Sequence, residues 1–226
     1  MSAGKLCTLP DAISLIRPND TVLIGGFSNI GCPLHLLYEL ARHPEIDALT
    51  TVSEDFGYSS LPFIQGPETL LRNGQLKKIV VSFLGHAAVE EAYRRGEIEL
   101  ELIPQGTLAE RLRAAGAGLG GFYTPTGVGT EAALGKETRE IDGRRYLLEK
   151  PLSGAVALLK AYKADPFGNA VFKLTAANFN LCMAMAARTV ILETEKLVAP
   201  GEIEPDSVHL PGLFVDRIVV AEEALF

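Results

Sequence analysis

Short apolar runs recur along the chain at residues 22–25, 49–53, 78–83, 99–103, 156–161 and 189–193. Each is continuous or alternating, and each has the length of a strand. Between several of them lie stretches with apolar residues at helical spacing. Residues 33–42 open with Pro33 at the first helical position and stop before His43-Pro44, as a helix entry and exit require. Residues 87–95 end at Gly96, a C-capping residue. Residues 107–115 open with Thr107 and Glu110 at capping-box spacing and stop at Gly116. Strands alternating with helices predict an α/β fold, a mostly parallel open sheet covered by helices on both faces.

Two segments interrupt the alternation. Residues 116–130, "GAGLGGFYTPTGVGT", hold six glycines and one proline and read as a long ordered loop or chain reversal. The stretch "GKETREIDGRRYLLEK" reads as a polar hairpin, with Asp142-Gly143 as the turn between residues 138–141 and 145–149. The apolar tail "PGLFVDRIVVAEEALF" suits a last strand or an intersubunit contact. No linker composition and no internal repeat divide the chain, so residues 1–226 are expected to form a single domain.

Composition narrows the class. Of 226 residues, 47% are hydrophobic, enough to build a core and to exclude disorder. The net charge of −7 argues against an electrostatic grip on nucleic acid. No apolar run reaches the roughly 20 residues a membrane span needs. The start, "MSAGKLCTLPDAISLIRPND", has an early Pro and Asp where a signal peptide has a basic region and a long apolar centre. Three widely spaced cysteines, Cys7, Cys32 and Cys182, read as reduced thiols of a cytoplasmic protein.

Candidate chemistry collects where strands end. In "VLIGGFSNIGCP" (22–33), Gly25 and Gly26 close a strand and Gly31 precedes a helix that starts near Pro33. Glycines let backbone amides approach a ligand, and a helix N-terminus favours an anion. The turn is either an ordinary tight βα connection or a bare wall against a large ligand. Its spacing is neither a dinucleotide fingerprint nor a phosphate-binding P-loop. In "PQGTLAER" (104–111), Gln105 follows a strand and sits beside free helix amides; a neutral amide there either donates to a developing oxyanion or caps a turn. In "TVSEDFG" (51–57), Glu54 and Asp55 also follow a strand, placed for a nucleophile, a general base, or a cap. His86 follows the next strand and suits a helix start as well as a site. The four histidines show no metal-ligand spacing, and Ser28, Ser53 and Ser82 lack a nucleophile elbow. Cys32, next to the glycine turn, is read as a small buried hydrophobe rather than a nucleophile.

With these stretches stand "GAGLGGFYTPTGVGT", "KADPFGN", "NFNLCMAMAA" and "PGEIEPDSVHLPGLFVDRIVV". In this order, from about residue 9 to 220, they resemble the α subunit of family I coenzyme A transferases, near the acetate/acetoacetate, 3-oxoacid and 3-oxoadipate enzymes. The resemblance implies transfer of coenzyme A between a short-chain or 3-oxo acyl-CoA and a carboxylic acid. A glutamate attacks the thioester to form an acyl-glutamyl anhydride, the thiolate returns to form a glutamyl-CoA thioester, and a second acid reverses the sequence. It implies that this glutamate lies on a β subunit, in an α2β2 assembly, with coenzyme A as substrate and no group bound covalently by this chain. The segment Gly25, Gly26, Phe27, Ser28, Asn29, Ile30 and Gly31 corresponds to the family's coenzyme A-associated turn. Gln105 falls on the glutamine that faces the reacting carbonyl.

Two places depart from the family pattern. Ser53-Glu54-Asp55-Phe56-Gly57 stands where the family usually has Ser-Asn-Asn-Ala-Gly, or Asn-Asp, and Gly85-His86-Ala87 where it often has Gly-Glu-Asn or Gly-Thr-Asn. A carboxylate at Glu54 facing the site is expected to weaken acid binding unless His86 is charged beside it. Ser53-Glu54-Asp55 also resembles the catalytic segment of the β-type chain, which raises a self-sufficient transferase with Glu54 as nucleophile. A sugar-phosphate isomerase-like relative and a non-catalytic acyl-CoA-binding relative are competing readings.

Overall fold

The computed structural model describes residues 4–57 and 66–221. In chain order, α1 (Leu9–Ile13), β1 (Thr21–Ile24), α2 (Leu34–Ala41), β2 (Leu49–Val52), α3 (Gly66–Arg72), β3 (Leu76–Val81), α4 (Ala87–Arg94), β4 (Glu99–Leu102) and α5 (Gln105–Gly116) form an uninterrupted alternation. Three strands follow, β5 (Phe122–Thr124), β6 (Thr138–Ile141) and β7 (Arg144–Glu149). The chain then re-enters the main sheet through β8 (Gly154–Ala164), β9 (Ala170–Val171), α6 (Asn180–Ala186), β10 (Ala187–Leu197) and β11 (Arg217–Val220).

The main sheet runs β11-β10-β8-β1-β2-β3-β4. Every pair along that path is parallel, and only β9 lies antiparallel, against β8. Successive strand side chains point to opposite faces, and the core divides accordingly. Val22 and Ile24, Ile79 and Val81, and Val156 and Leu158 join α1 to α4 in one cluster. Leu23, Val80, Ala157 and Leu159 join α5 and α6 in the other. A sheet buried on both sides explains why its strands read as nearly continuous apolar runs.

All six expected strands are present, and the described part of the apolar tail contributes β11, a sheet strand parallel to β10, while residues 222–226 lie outside the described residues. The hairpin turn has both central residues at positive φ, Asp142 at 49° and Gly143 at 73°, the geometry whose twist matches paired strands. The glycine-rich stretch differs from expectation: within it, β5 pairs with β7 in a separate three-stranded antiparallel sheet. The helix expected at residues 107–115 starts two residues earlier. Thr107 is buried inside its first turn, and Pro104 precedes the helix with no side-chain cap. Proline fixes an extended entry and cannot itself donate to the helix, which moves the boundary ahead of the capping pattern.

Candidate functional site

β1, β2, β3 and β4 are parallel neighbours, so the turns that leave them share one edge of the sheet. In open α/β sheets this carboxyl edge is where ligands bind.

From β1 the chain enters the glycine turn. Phe27 and Ile30 exchange backbone hydrogen bonds of 3.1 and 3.0 Å, which folds Ser28 and Asn29 into a tight tip. Ser28 sits at φ 52°, a left-handed conformation that costs a non-glycine residue energy. Asp55 holds it there, its Oδ2 accepting from Ser28 N at 2.8 Å and from Ser28 Oγ at 3.3 Å. The glycines answer to packing within the chain. A Cβ on Gly25 would overlap the Asn180 amide, one on Gly26 would meet the Cys32 backbone at 3.0 Å, and one on Gly31 would meet the Ala176 carbonyl at 2.8 Å. The bareness of this turn is therefore accounted for by its own neighbours, and no ligand is needed to explain it.

From β2 come Ser53, Glu54 and Asp55, all buried. Ser53 Oγ donates to the Asp55 carbonyl at 2.6 Å, and Asp55 Oδ1 accepts from Gly57 N at 2.8 Å. From β3 comes Ser82, whose N donates to the Glu54 carbonyl at 2.8 Å and whose Oγ donates to Glu54 Oε1 at 2.7 Å. From β4 comes Gln105, exposed at the first position of α5, with Nε2 donating to the same Glu54 Oε1 at 2.6 Å. Glu54 is only 2% exposed, and its Oε2 has no hydrogen-bond partner among the described residues. Burial pushes this carboxyl above its ordinary 4.5; the bonds from Ser82 and Gln105 act against the rise, and the neighbouring Asp55 adds to it.

Gln105, Glu54 and the Gly25–Gly31 turn thus form one connected group, since Ser28 is bonded to Asp55 and Glu54 to Gln105. The first amides of α5 have no side-chain cap and remain open to an anion or a carbonyl oxygen. Beside Asp55, a cleft lined by Gly25, Gly26, Ser28, Asn29, Ser53 and Gly57 has only about 10 Å³ open to a water's centre. That holds one water at most, far less than a thioester.

His86 precedes α4, 1% exposed. Its charged neighbour is Glu68, with Nε2 3.4 Å from Oε2, and its ring meets the edge of Phe56 at 5.6 Å. Burial acts to raise the Glu68 carboxyl, yet Arg72 at 2.6 Å and His86 hold it below the ordinary range. The carboxylate beside His86 is therefore Glu68 and not Glu54, and neither ring nitrogen makes a hydrogen bond among the described residues. Cys32 is buried and its thiol is driven far upward by burial and by the Glu193 and Asp55 charges, which fits an inert core residue. In the sequence Ser82 stands only as a serine without a nucleophile elbow, and nothing local to "NFNLCMAMAA" points to Asn180 as the residue that backs the glycine turn.

The profile of the family described as "Coenzyme A transferase" matches residues 7–221. The chain is 45% identical over 219 residues to the A-type subunit of the probable succinyl-CoA:3-ketoacid coenzyme A transferase of Bacillus subtilis, covering 96% of this chain and 90% of that protein. It is 43% identical over 220 residues to the A-type subunit of the 3-oxoadipate CoA-transferase of Pseudomonas putida, covering 96% of this chain and 93% of that protein. Among solved structures, an acyl-CoA transferase from Escherichia coli O157:H7, in thioester complex with CoA, superposes with a TM-score of 0.86 at 22% identity. That match covers 98% of this chain and 48% of the other, so this chain spans about half its length.

Proposed function

The chain belongs to the coenzyme A transferase family and is a transferase of coenzyme A, and from that premise we propose that it is the α-type subunit of a heteromeric enzyme. A β-type partner contributes the nucleophilic glutamate, in an α2β2 assembly. The substrates are a short-chain or 3-oxo acyl-CoA and a carboxylic acid, with coenzyme A as substrate and no group held covalently by this chain. Residues 1–226 act as one domain, in the cytoplasm.

In this reading the Gly25–Gly31 turn forms a wall along the coenzyme A arm, and Gln105 meets the reacting carbonyl. An amide adds no charge that would repel an attacking carboxylate. Aimed at the oxygen that becomes negative in the tetrahedral state, it is worth about 3 kcal/mol. The observation that carries the reading is the junction of these two features at one sheet edge, through Ser28–Asp55 and Glu54–Gln105.

The test assembles the chain with its β-type partner, adds acyl-CoA, traps the thioester with borohydride and locates the modified glutamate. Label on the partner is expected, with Gln105→Ala lowering turnover by roughly 10²- to 10³-fold at nearly unchanged stability. A wild-type rate in Gln105→Ala removes Gln105 from the mechanism. Label on Glu54 establishes instead that this carboxyl is the nucleophile. Tight acyl-CoA binding without exchange establishes a binding protein.

A further inference from the structure

A primary amide has a donor end and an acceptor end of nearly the same shape. At an exposed helix start nothing decides which end faces a ligand, and an inverted amide would point its oxygen at the carbonyl it is meant to stabilise. In this chain two donors converge on a single buried oxygen, Glu54 Oε1: the Ser82 hydroxyl at 2.7 Å and the Gln105 amide nitrogen at 2.6 Å. An oxygen flanked by two donors accepts from both and offers nothing to an acceptor. Only the nitrogen end of Gln105 therefore fits against it.

We propose that Glu54 is a positioning residue that fixes the orientation of the Gln105 amide, taking one Nε2 hydrogen so that the other is held toward the reacting carbonyl. The inference rests on the reading of Gln105 as the carbonyl contact. It assigns Glu54 a role other than attack. Oε1 is occupied by two donors, and Oε2 is sealed from solvent without a partner among the described residues. No cation pairs with Glu54 among those residues; the charged group beside it is Asp55, and its partners from the ends of β3 and β4 are the neutral Ser82 and Gln105. Asp55 in turn is occupied by Ser28 and Gly57. One dipeptide after β2 thus sets two parts of the site, the tip of the glycine turn through Asp55 and the amide through Glu54.

The assembled enzyme is assayed as wild type, Glu54→Gln, Glu54→Met, Gln105→Ala and the Glu54→Met/Gln105→Ala pair. Glu54→Gln keeps a carbonyl oxygen for both donors, so kcat is expected within about threefold of wild type. Glu54→Met removes the acceptor, so kcat is expected to fall toward the level of Gln105→Ala, roughly 10²-fold or more, with KM for acyl-CoA nearly unchanged. Residues acting through one another are non-additive, so the pair is expected to be no slower than Gln105→Ala alone. Independently of any variant, amide NMR of the wild-type assembly is expected to show one Gln105 Nε2 hydrogen protected from exchange and the other not.

Wild-type kcat in Glu54→Met, multiplying losses in the pair, or equal fast exchange of both hydrogens overturns the proposal while leaving the role of Gln105 intact. An inactive, folded Glu54→Gln overturns it in favour of a carboxylate that reacts. Wild-type kcat in Gln105→Ala overturns the parent reading instead, and this inference with it.

Discussion

Gly25→Ala probes the packing behind the glycine turn. Gly25 N donates to the Leu158 carbonyl at 2.9 Å, after which β1 turns away from β8. The next inward amide of β8, Lys160 N, instead donates to Asn180 Oδ1 at 3.3 Å. Asn180 is fully buried, and its Nδ2 donates to the Ala176 carbonyl at 2.8 Å and reaches the Gly31 carbonyl at 3.4 Å. A methyl group on Gly25 would overlap this amide, and the nearest atoms are its own Oδ1 and Cγ rather than a flexible chain end. Displacing Asn180 leaves Lys160 N and the Ala176 carbonyl unsatisfied at about 1–3 kcal/mol each, so the substitution is expected to cost about 3 kcal/mol. For a chain of 226 residues that lowers the unfolding temperature by roughly 6–12 °C. Thermal unfolding followed by circular dichroism measures it. Asn180→Ala removes the same hydrogen bonds, so the Gly25→Ala/Asn180→Ala pair is expected to cost little more than Asn180→Ala. A fall of under about 2 °C for Gly25→Ala, or single costs that simply add, refutes the packing argument.

Glu54 and Cys32 supply further predictions. Because the folded carboxyl of Glu54 lies above its ordinary 4.5, the native state binds the proton more tightly than the unfolded chain. Its contribution is fully present below pH 4.5 and is lost as pH rises toward the folded value. Glu54→Gln removes that loss, so its unfolding temperature is expected to exceed wild type above neutrality, with the gap narrowing toward acid pH; a constant gap would contradict the assignment. Cys32, buried with its thiol driven far upward, is expected to resist iodoacetamide in the native protein and to react in denaturant, as peptide mass mapping reads. Cys182, pushed up to about 11 by burial, is expected to react slowly, and rapid native labelling of Cys32 would reverse the reading of it as inert.

Much of the fold is legible from the chain because parallel strands buried on both faces must be apolar along their length. Runs such as Val22 to Ile24 and Ile79 to Val81 state this directly, each sending alternate side chains to the two clusters. Asp142-Gly143 is equally readable, since few dipeptides accept positive φ twice. The start of α5 misleads because Thr107 and Glu110 match a local pattern that Pro104 overrides. α1, α3 and α6, of five, seven and seven residues, carry too few turns for a periodic signal. β5 is hidden because glycines dominate its flanks and its pairing with β7 is not local.

For the site, residue types at strand ends are enough to single out Gln105, Glu54 and the Gly25–Gly31 turn. Their connection is not legible, because it runs through contacts 27 and 51 residues apart, Ser28 to Asp55 and Glu54 to Gln105. Which carboxylate holds the turn and which holds the amide depends on the order of β1, β2, β3 and β4 across the sheet, a long-range fact with no local signature. The reason the glycines are glycines lies farther still, in Asn180 and Ala176. Local chemistry is written in the chain because it acts over a few bonds; the partners of a buried polar group are chosen only when distant strands pair.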